Sequence, residues 1–121
     1  MKNHMPMIMM MKTMKKMSYN LYLDDDKDPD FSYFKAYDKA YKELKWIVVR
    51  TSDEFKKTLK EKGIPDVMSF DFQLNEKEAD GLTCAQFLKD LCDAQNVPYP
   101  KIKVHSNWPG VVGKFYELFE K

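Results

Sequence analysis

The chain has 121 residues, a length typical of one domain, and can bury most of its apolar surface without disulfides. Twenty basic and nineteen acidic residues leave a net charge of +1, so nothing supports a protein that coats duplex DNA through a one-signed field. Apolar residues at 44% and aromatic residues at 14% exclude an acidic disordered chain and are typical of a packed domain.

Residues 1–17 form a methionine-rich segment that contains eight of the nine methionines. Its apolar patch, residues 5–11, is shorter than the core of a signal peptide and far below the roughly 18 apolar residues that cross a bilayer. The alternatives are that this segment binds weakly to a membrane surface, or that translation starts at Met14 or Met17. We therefore expect a disordered leader over 1–17, a single α/β domain over 18–121 and no membrane partner.

Short apolar runs alternate with amphipathic stretches along the rest of the chain. The apolar runs predict strands at 19–23, 46–49 and 66–70, and the half-alternating segment KIKVHS predicts a fourth at 101–106. Apolar residues at three- and four-residue intervals predict four helices, over 30–45, 52–62, 82–95 and 109–121. Thr51 or Ser52 can cap the second helix, and Gly63 can end it. This alternation predicts a parallel sheet with helices on both faces, and a site beyond the carboxyl ends of the strands.

Acidic residues and a histidine follow three of these strands. The triplet 24–26 consists of aspartates after the first strand, Asp71 follows the third, and His105 ends the fourth. If the first and third strands are neighbours, Asp24, Asp25 and Asp71 converge, and their repulsion favours a hard divalent cation, Mg²⁺ or Mn²⁺. The alternative is one aspartate that caps a helix and others that are solvated.

Groups that suit a phosphate lie at the same edge. His105 can act as a general acid or base near neutral pH, although a lone histidine is more often structural. Ser106 and Asn107 supply a hydroxyl and an amide for phosphate oxygens. The last helix would then present its N-terminal amides to an anion.

Lys27 and Arg50 are the basic candidates at this edge. Lys27 could neutralise a phosphate or only balance the neighbouring aspartates. Arg50 ends the second strand and could clamp a phosphate with two parallel hydrogen bonds, or form a solvated pair. Trp108 could stack on a base, whereas Trp46 is predicted to lie in the core.

Cys84 and Cys92 lie eight residues apart in one predicted helix, about 12 Å along its axis, which is too far for a disulfide. Buried free thiols suit a reducing compartment and a cytoplasmic location.

Four segments resemble, in order and approximate spacing, the blocks of the cyclic-phosphate processing receiver domains. They are LYLDDDKDP, WIVVRTSDEF, VMSFDFQL and VHSNWPG, and together they cover about 19–113. The resemblance implies a three-layer receiver-like (flavodoxin-like) fold, with a parallel sheet of about four strands in the order 2-1-3-4 and helices on both faces.

The chain also departs from the family pattern. The residues that match it are Leu23, Asp24, Asp25, Trp46, Arg50, Ser69, Asp71, Leu74, His105, Ser106 and Pro109. Lys27 stands where arginine is usual, Phe72 replaces a histidine, Gln73 replaces an aspartate, and Asn107 lies one position early. If the family uses two histidines as acid and base, only His105 remains, and a cation that lowers the pKa of water could supply the base.

The resemblance implies metal-assisted processing of a cyclic phosphate on a nucleotide or an RNA end. Asp24, Asp25 and Asp71 would hold the cation, His105 and Asp71 would act in catalysis, and the phosphate would be bound by Lys27, Arg50, Ser106 and Asn107. The changes at Phe72 and Gln73 leave open a non-catalytic module that binds a phosphorylated or cyclic nucleotide ligand or a protein partner. A phosphoacceptor receiver with Asp71 as nucleophile is a further alternative, but it would need a fifth strand.

Overall fold

The structure is a computed structural model that describes residues 18–31, 38–106, 108 and 110–120. Its strands are β1 (Asn20–Leu23), β2 (Trp46–Val49), β3 (Val67–Phe70) and β4 (Lys101–Val104). Its helices are α1 (Ala40–Glu43), α2 (Ser52–Lys62), α3 (Gly81–Gln95) and α4 (Val112–Leu118), with a 3₁₀ turn at Pro29–Phe31. The leader lies outside the described residues, so its disorder and the domain limits stay predictions.

The four strands form one parallel sheet in the order β2-β1-β3-β4. This confirms the predicted α/β class, the strand order and the position of β1 beside β3. None of the helices in the described part of the chain has both the length and the apolar character needed to span a bilayer.

The sheet has one apolar face and one mixed face, because side chains alternate along each strand. Leu21, Leu23, Met68 and Phe70 lie on the apolar face, in one core with side chains of α2, α3 and α4. The mixed face includes the register row of Tyr22, Val48, Ser69 and Lys103. Its aromatic cover comes from α1, whose Tyr41 is buried and packs edge-on against Tyr22 at 6.0 Å.

The helix ends follow local chemistry. Thr51 caps α2 by accepting a hydrogen bond from the backbone of Glu54 at 3.1 Å, and Gly63 ends this helix with φ at 86°. Asp80 and Thr83 form a reciprocal capping box at the start of α3. The other end of α3 is closed by Asn96 in the left-handed conformation, ahead of Pro98 and Pro100.

A single helix over 30–45 is wrong, because α1 begins only at Ala40. Asp38 is not helical: its carboxylate accepts a hydrogen bond from the backbone of Ala40 at 3.0 Å and pairs with Lys103 on β4. These contacts favour a local turn over helix continuation. Residues 32–37, which carry part of the predicted aromatic stripe, lie outside the described residues.

Cys84 and Cys92 are free and buried in α3, as predicted. Burial raises the pKa of Cys84 to about 12 and that of Cys92 to about 11. Both thiols therefore stay protonated and belong to the core rather than to a reactive site.

Candidate functional site

The parallel ladder continues one residue beyond the strands at the edge of the sheet where they end, which we call the carboxyl edge. The backbone N–H groups of Asp24, Asp71 and His105 still donate to the adjacent strand, over 3.1, 3.1 and 2.9 Å. Each of these residues directly follows its strand by one position, so all three side chains belong to the mixed face.

Three potential ligand groups meet at this point. One carboxylate oxygen of Asp24, one of Asp71 and a ring nitrogen of His105 all lie within 4.8 Å of one another. The His105 Nε2 atom lies 3.2 Å from the Asp24 Oδ2 atom. The carboxyl edge therefore gathers two carboxylates and an imidazole from three different strands.

Asp24 is held as an ionised carboxylate. Its Oδ1 atom accepts hydrogen bonds from the backbone N–H groups of Asp26 and Lys27, both at 3.0 Å, while Oδ2 faces His105. Burial alone would raise the pKa of Asp24, but these hydrogen bonds outweigh burial and lower the pKa to about 2.

His105 lies in a closed network. Its side chain is only 2% exposed and stacks on Tyr22 with ring centroids 4.1 Å apart. Its Nδ1 atom lies 2.7 Å from the Ser69 hydroxyl, which lies 2.7 Å from the Tyr41 hydroxyl. Burial lowers the pKa of His105, and the charge of Asp24 only partly offsets this.

A neutral imidazole satisfies every group in this network. It donates Nε2–H to Asp24 and accepts at Nδ1 from Ser69, whose oxygen in turn accepts from Tyr41. Burial also raises the pKa of Tyr41, so its hydroxyl keeps the proton that it donates. The network therefore sets the tautomer of His105 and fixes the ring beside Asp24.

Asp71 has the opposite electrostatic character to Asp24. Burial, followed by the nearby charge of Asp24, raises the pKa of Asp71 to about 7, against a hydrogen bond of 2.8 Å from the backbone of Phe72. One carboxylate is thus fixed in the ionised form, and its neighbour changes charge near neutral pH.

Asp25 belongs to a second group of potential ligands. The carboxylates of Asp24, Asp25 and Asp26 lie within 4.8 Å of one another, and Asp25 accepts a hydrogen bond from the side chain of Asn75. Asp24 is common to both groups, so Asp25 lies beside the Asp24–Asp71–His105 group rather than inside it. The side chain of Lys27 is largely exposed, and its Nζ atom lies 3.9 Å from the carboxylate of Asp26.

Arg50 clamps the loop that follows β1. Its guanidinium donates to the carbonyl oxygens of Asp24 and Lys27, at 3.2 and 2.8 Å, and pairs with the carboxylate of Asp28. These contacts hold the loop in the shape that brings two backbone N–H groups onto Asp24. To bind a phosphate with two parallel hydrogen bonds, Arg50 would have to break some of these contacts with the loop.

The loop after β4 carries the remaining predicted residues. Ser106 is buried, and its hydroxyl accepts a hydrogen bond from the backbone of Trp108 at 3.3 Å. Asn107 lies outside the described residues. Trp108 is 48% exposed and packs edge-on against Phe72, whereas Trp46 is half-buried and contacts Tyr22 and Tyr41.

The donor set fits a hard divalent cation. Octahedral Mg²⁺ has oxygen ligands at about 2.1 Å, so opposite ligands lie about 4.2 Å apart. One carboxylate oxygen of Asp24 lies within 4.8 Å of one of Asp71, a separation compatible with two ligands of one ion. Oxygen ligands suit Mg²⁺ or Mn²⁺. Because the Nε2–H of His105 already donates to Asp24, we assign the ligand role to the carboxylates.

Several residues that build the site were missed by sequence reasoning. Ser69 and Tyr41 hold the far side of the imidazole, and Asn75 holds Asp25. The sequence does distinguish Ser69, because it is a polar residue inside an apolar strand and its side chain lies on the mixed face of the sheet.

The chain matches the family model described as the cyclic-phosphate processing receiver domain over residues 19–121. The match covers most of the chain, so the chain belongs to this family. No curated protein matches the chain.

Proposed function

We propose that this member of the cyclic-phosphate processing receiver family hydrolyses a cyclic phosphate on a nucleotide or an RNA end, with the help of Mg²⁺ or Mn²⁺. The observation that carries the proposal is the approach of Asp24, Asp71 and His105 to within 4.8 Å at the carboxyl edge. The two carboxylates repel each other, and a divalent cation would relieve this repulsion and could also bind a phosphate oxygen.

The carboxylates are proposed to hold the cation. Asp24 is ionised over the whole neutral range and is oriented by two backbone N–H groups. Asp71 is the second ligand, and Asp25 adds negative charge at the rim. When bound, the cation would neutralise these charges and withdraw electron density from the phosphate oxygens.

The reaction requires one bond to form and one to break. A water oxygen attacks phosphorus, one phosphate ester bond breaks, and the leaving oxygen takes up a proton. Asp71 is proposed to accept, through a carboxylate oxygen that does not hold the cation, the proton that the water loses. His105 is proposed to protonate the leaving oxygen from Nε2.

His105 must carry both ring protons to act as an acid. In that form Nδ1–H donates to Ser69, and Nε2–H is turned toward the carboxyl edge. The negative charge of a bound phosphate would favour this form by raising the pKa of the imidazole. Ser106 and Asn107 are proposed to orient the phosphate oxygens. Lys27 lies in the loop after β1 and is largely exposed. We propose that its ammonium group contacts the phosphate oxygens when this loop moves toward a bound ligand.

Turnover tests this proposal directly. The protein is incubated with Mg²⁺ or Mn²⁺ and a panel of cyclic nucleotides and RNA ends that carry a cyclic phosphate. We expect turnover that is abolished by EDTA and falls at least about 100-fold in His105→Ala. Turnover by His105→Ala at the wild-type rate would contradict the assignment of His105.

A second function is favoured by Phe72 and Gln73, which replace polar residues of the family pattern. Without the second histidine, the same pocket could bind a cyclic phosphate ligand without cleaving it. Calorimetry separates the two functions: binding of the cyclic nucleotide with no turnover favours the non-catalytic module. Binding together with turnover favours the hydrolase.

A further inference from the structure

One tryptophan lies beside the acidic group with much of its ring in solvent. Trp108 is 48% exposed, more than the other large apolar side chains of the described part, Tyr116 at 42% and Leu44 at 36%. Trp108 is three positions after His105, so it projects from the loop at the carboxyl edge. The described structure therefore leaves an indole partly uncovered on the loop that follows His105.

Trp108 is positioned by contacts with the loops that follow β3 and β4. Its ring meets that of Phe72 edge-on, with centroids 5.9 Å apart and an angle of 63° between the planes. Phe72 packs against the core and directly follows Asp71, to whose carboxylate its backbone donates at 2.8 Å. The backbone of Trp108 donates to Ser106. The indole is thus tied to the residues next to both Asp71 and His105.

We propose that Trp108, supported by Phe72, is a stacking surface for the nucleobase of a cyclic nucleotide or of the terminal nucleotide of an RNA. The base would lie on the indole while the cyclic phosphate lies at Asp24 and Asp71. This inference rests on the proposed function, since it names the part of the substrate that the same site recognises. Phe72 then contributes a ring that supports Trp108, at the position where the family pattern has a histidine.

The size of the uncovered surface favours a base over a protein partner. An aromatic side chain of this kind has an area of about 150–250 Å², so an exposure of 48% leaves roughly 100 Å². That area matches one face of a single base, whereas a stable protein interface covers about 800 Å² on each partner. Stacking on an aromatic ring also tolerates any base, because every base has a π face.

The test compares two ligands in the presence of Mn²⁺. The first is adenosine 2′,3′-cyclic phosphate, and the second is the same cyclic phosphate on a methyl riboside without a base. We expect the full-length protein to prefer the adenosine ligand by about 5- to 150-fold, the range given by stacking of one base. The preference is read as a ratio of Kd values or, where turnover occurs, of kcat/KM values.

Substitutions assign the preference to the indole. Trp108→Ala is expected to bring the two ligands to within about twofold of each other, and Trp108→Phe to keep part of the preference. Leu44→Ala, an exposed apolar change at the opposite edge of the sheet, serves as the control and is expected to keep all of it. The chain has two tryptophans, so quenching of fluorescence that is lost in Trp108→Phe would report direct contact.

The outcomes separate this inference from the function on which it rests. Equal affinity of the wild-type protein for both ligands, with the base-free ligand still bound, would overturn the stacking surface alone. A preference that survives Trp108→Ala would also overturn it. If neither ligand binds, the stacking surface and the proposed function both fail.

Discussion

Replacing Asp71 by asparagine should stabilise the metal-free protein at alkaline pH. Burial and the charge of Asp24 raise the pKa of Asp71 from 3.8 to about 7. The folded protein therefore keeps a proton that the unfolded chain has lost. Stability falls as the pH rises from about 4 to about 7, and the whole penalty is present above pH 7. Asparagine keeps an oxygen that can accept from the backbone of Phe72 but carries no charge.

The size of the effect follows from the shift in the pKa. A rise from 3.8 to about 7 corresponds to a penalty of about 4 kcal/mol for the ionised form. The side chain is partly exposed, so solvent screening reduces the expected penalty to about 2 kcal/mol. Asp71→Asn should thus raise the free energy of unfolding by about 2 kcal/mol at pH 8 and change it little at pH 4.5.

Urea denaturation in EDTA at pH 4.5 and pH 8 measures this difference. Comparing the variant with the wild type at each pH cancels the contributions of Asp24 and His105, which both proteins share. In Mn²⁺ at 100 times its Kd the wild type should gain about 2.7 kcal/mol, whereas the variant should gain far less. A variant that is less stable than the wild type at pH 8, or equally changed at both pH values, would refute the reasoning.

Three further substitutions, and Gly113→Ala as a control for the third, test how the site is supported. Ser69→Ala leaves a buried tyrosine hydroxyl and an imidazole nitrogen without their shared partner, so it should cost about 1–3 kcal/mol by urea denaturation. Arg50→Lys should cost about 1 kcal/mol, because one ammonium cannot replace three contacts to the loop after β1, and calorimetry should show weaker Mn²⁺ binding. Gly81→Ala should destabilise by at least about 2 kcal/mol and weaken Mn²⁺ binding, because its Cβ would lie 1.8 Å from the carbonyl oxygen of Asp71. Gly113→Ala, where the added Cβ meets nothing within 4 Å, should leave binding unchanged and gain up to about 1 kcal/mol.

The strands could be predicted because each one is encoded by a short, continuous segment of the sequence. Each strand is a short apolar run that cannot form a helix of its own, and each is followed within one residue by a polar group. Three of the four predicted strands were one or two residues too long, since Tyr19, Asp66, His105 and Ser106 lie outside the observed strands. The strand order came from the family resemblance rather than from the periodicity, and the observed sheet confirms it.

The segment before β2 was harder to predict because tertiary contacts override its periodicity. Aromatic spacing favours one helix over 30–45, but Asp38 binds both the start of α1 and Lys103 on the far strand. No local pattern indicates a partner 65 residues away. The hydrogen bonds of Tyr41 and Ser69 behind His105 could not be predicted for the same reason. Ser69 and Tyr41 meet only because α1 packs on the face of the sheet to which Ser69 of β3 points.

For the candidate site, the sequence indicated which strands supply the side chains but not how each is paired. Asp24, Asp71 and His105 meet as the topology requires. The division into an ionised Asp24 and an Asp71 that titrates near neutral pH depends on two backbone N–H groups and on burial. The structural use of Arg50 likewise depends on the path of the loop after β1, which residue types alone do not specify.

A crystal structure with Mn²⁺ and a slowly hydrolysed cyclic phosphate analogue tests the central claim most directly. The account predicts an anomalous peak within about 2.5 Å of carboxylate oxygens of both Asp24 and Asp71, with the phosphate bound to the same ion and Nε2 of His105 facing a bridging oxygen of the phosphate. A peak elsewhere in the molecule, or a phosphate bound away from the carboxyl edge, would contradict it.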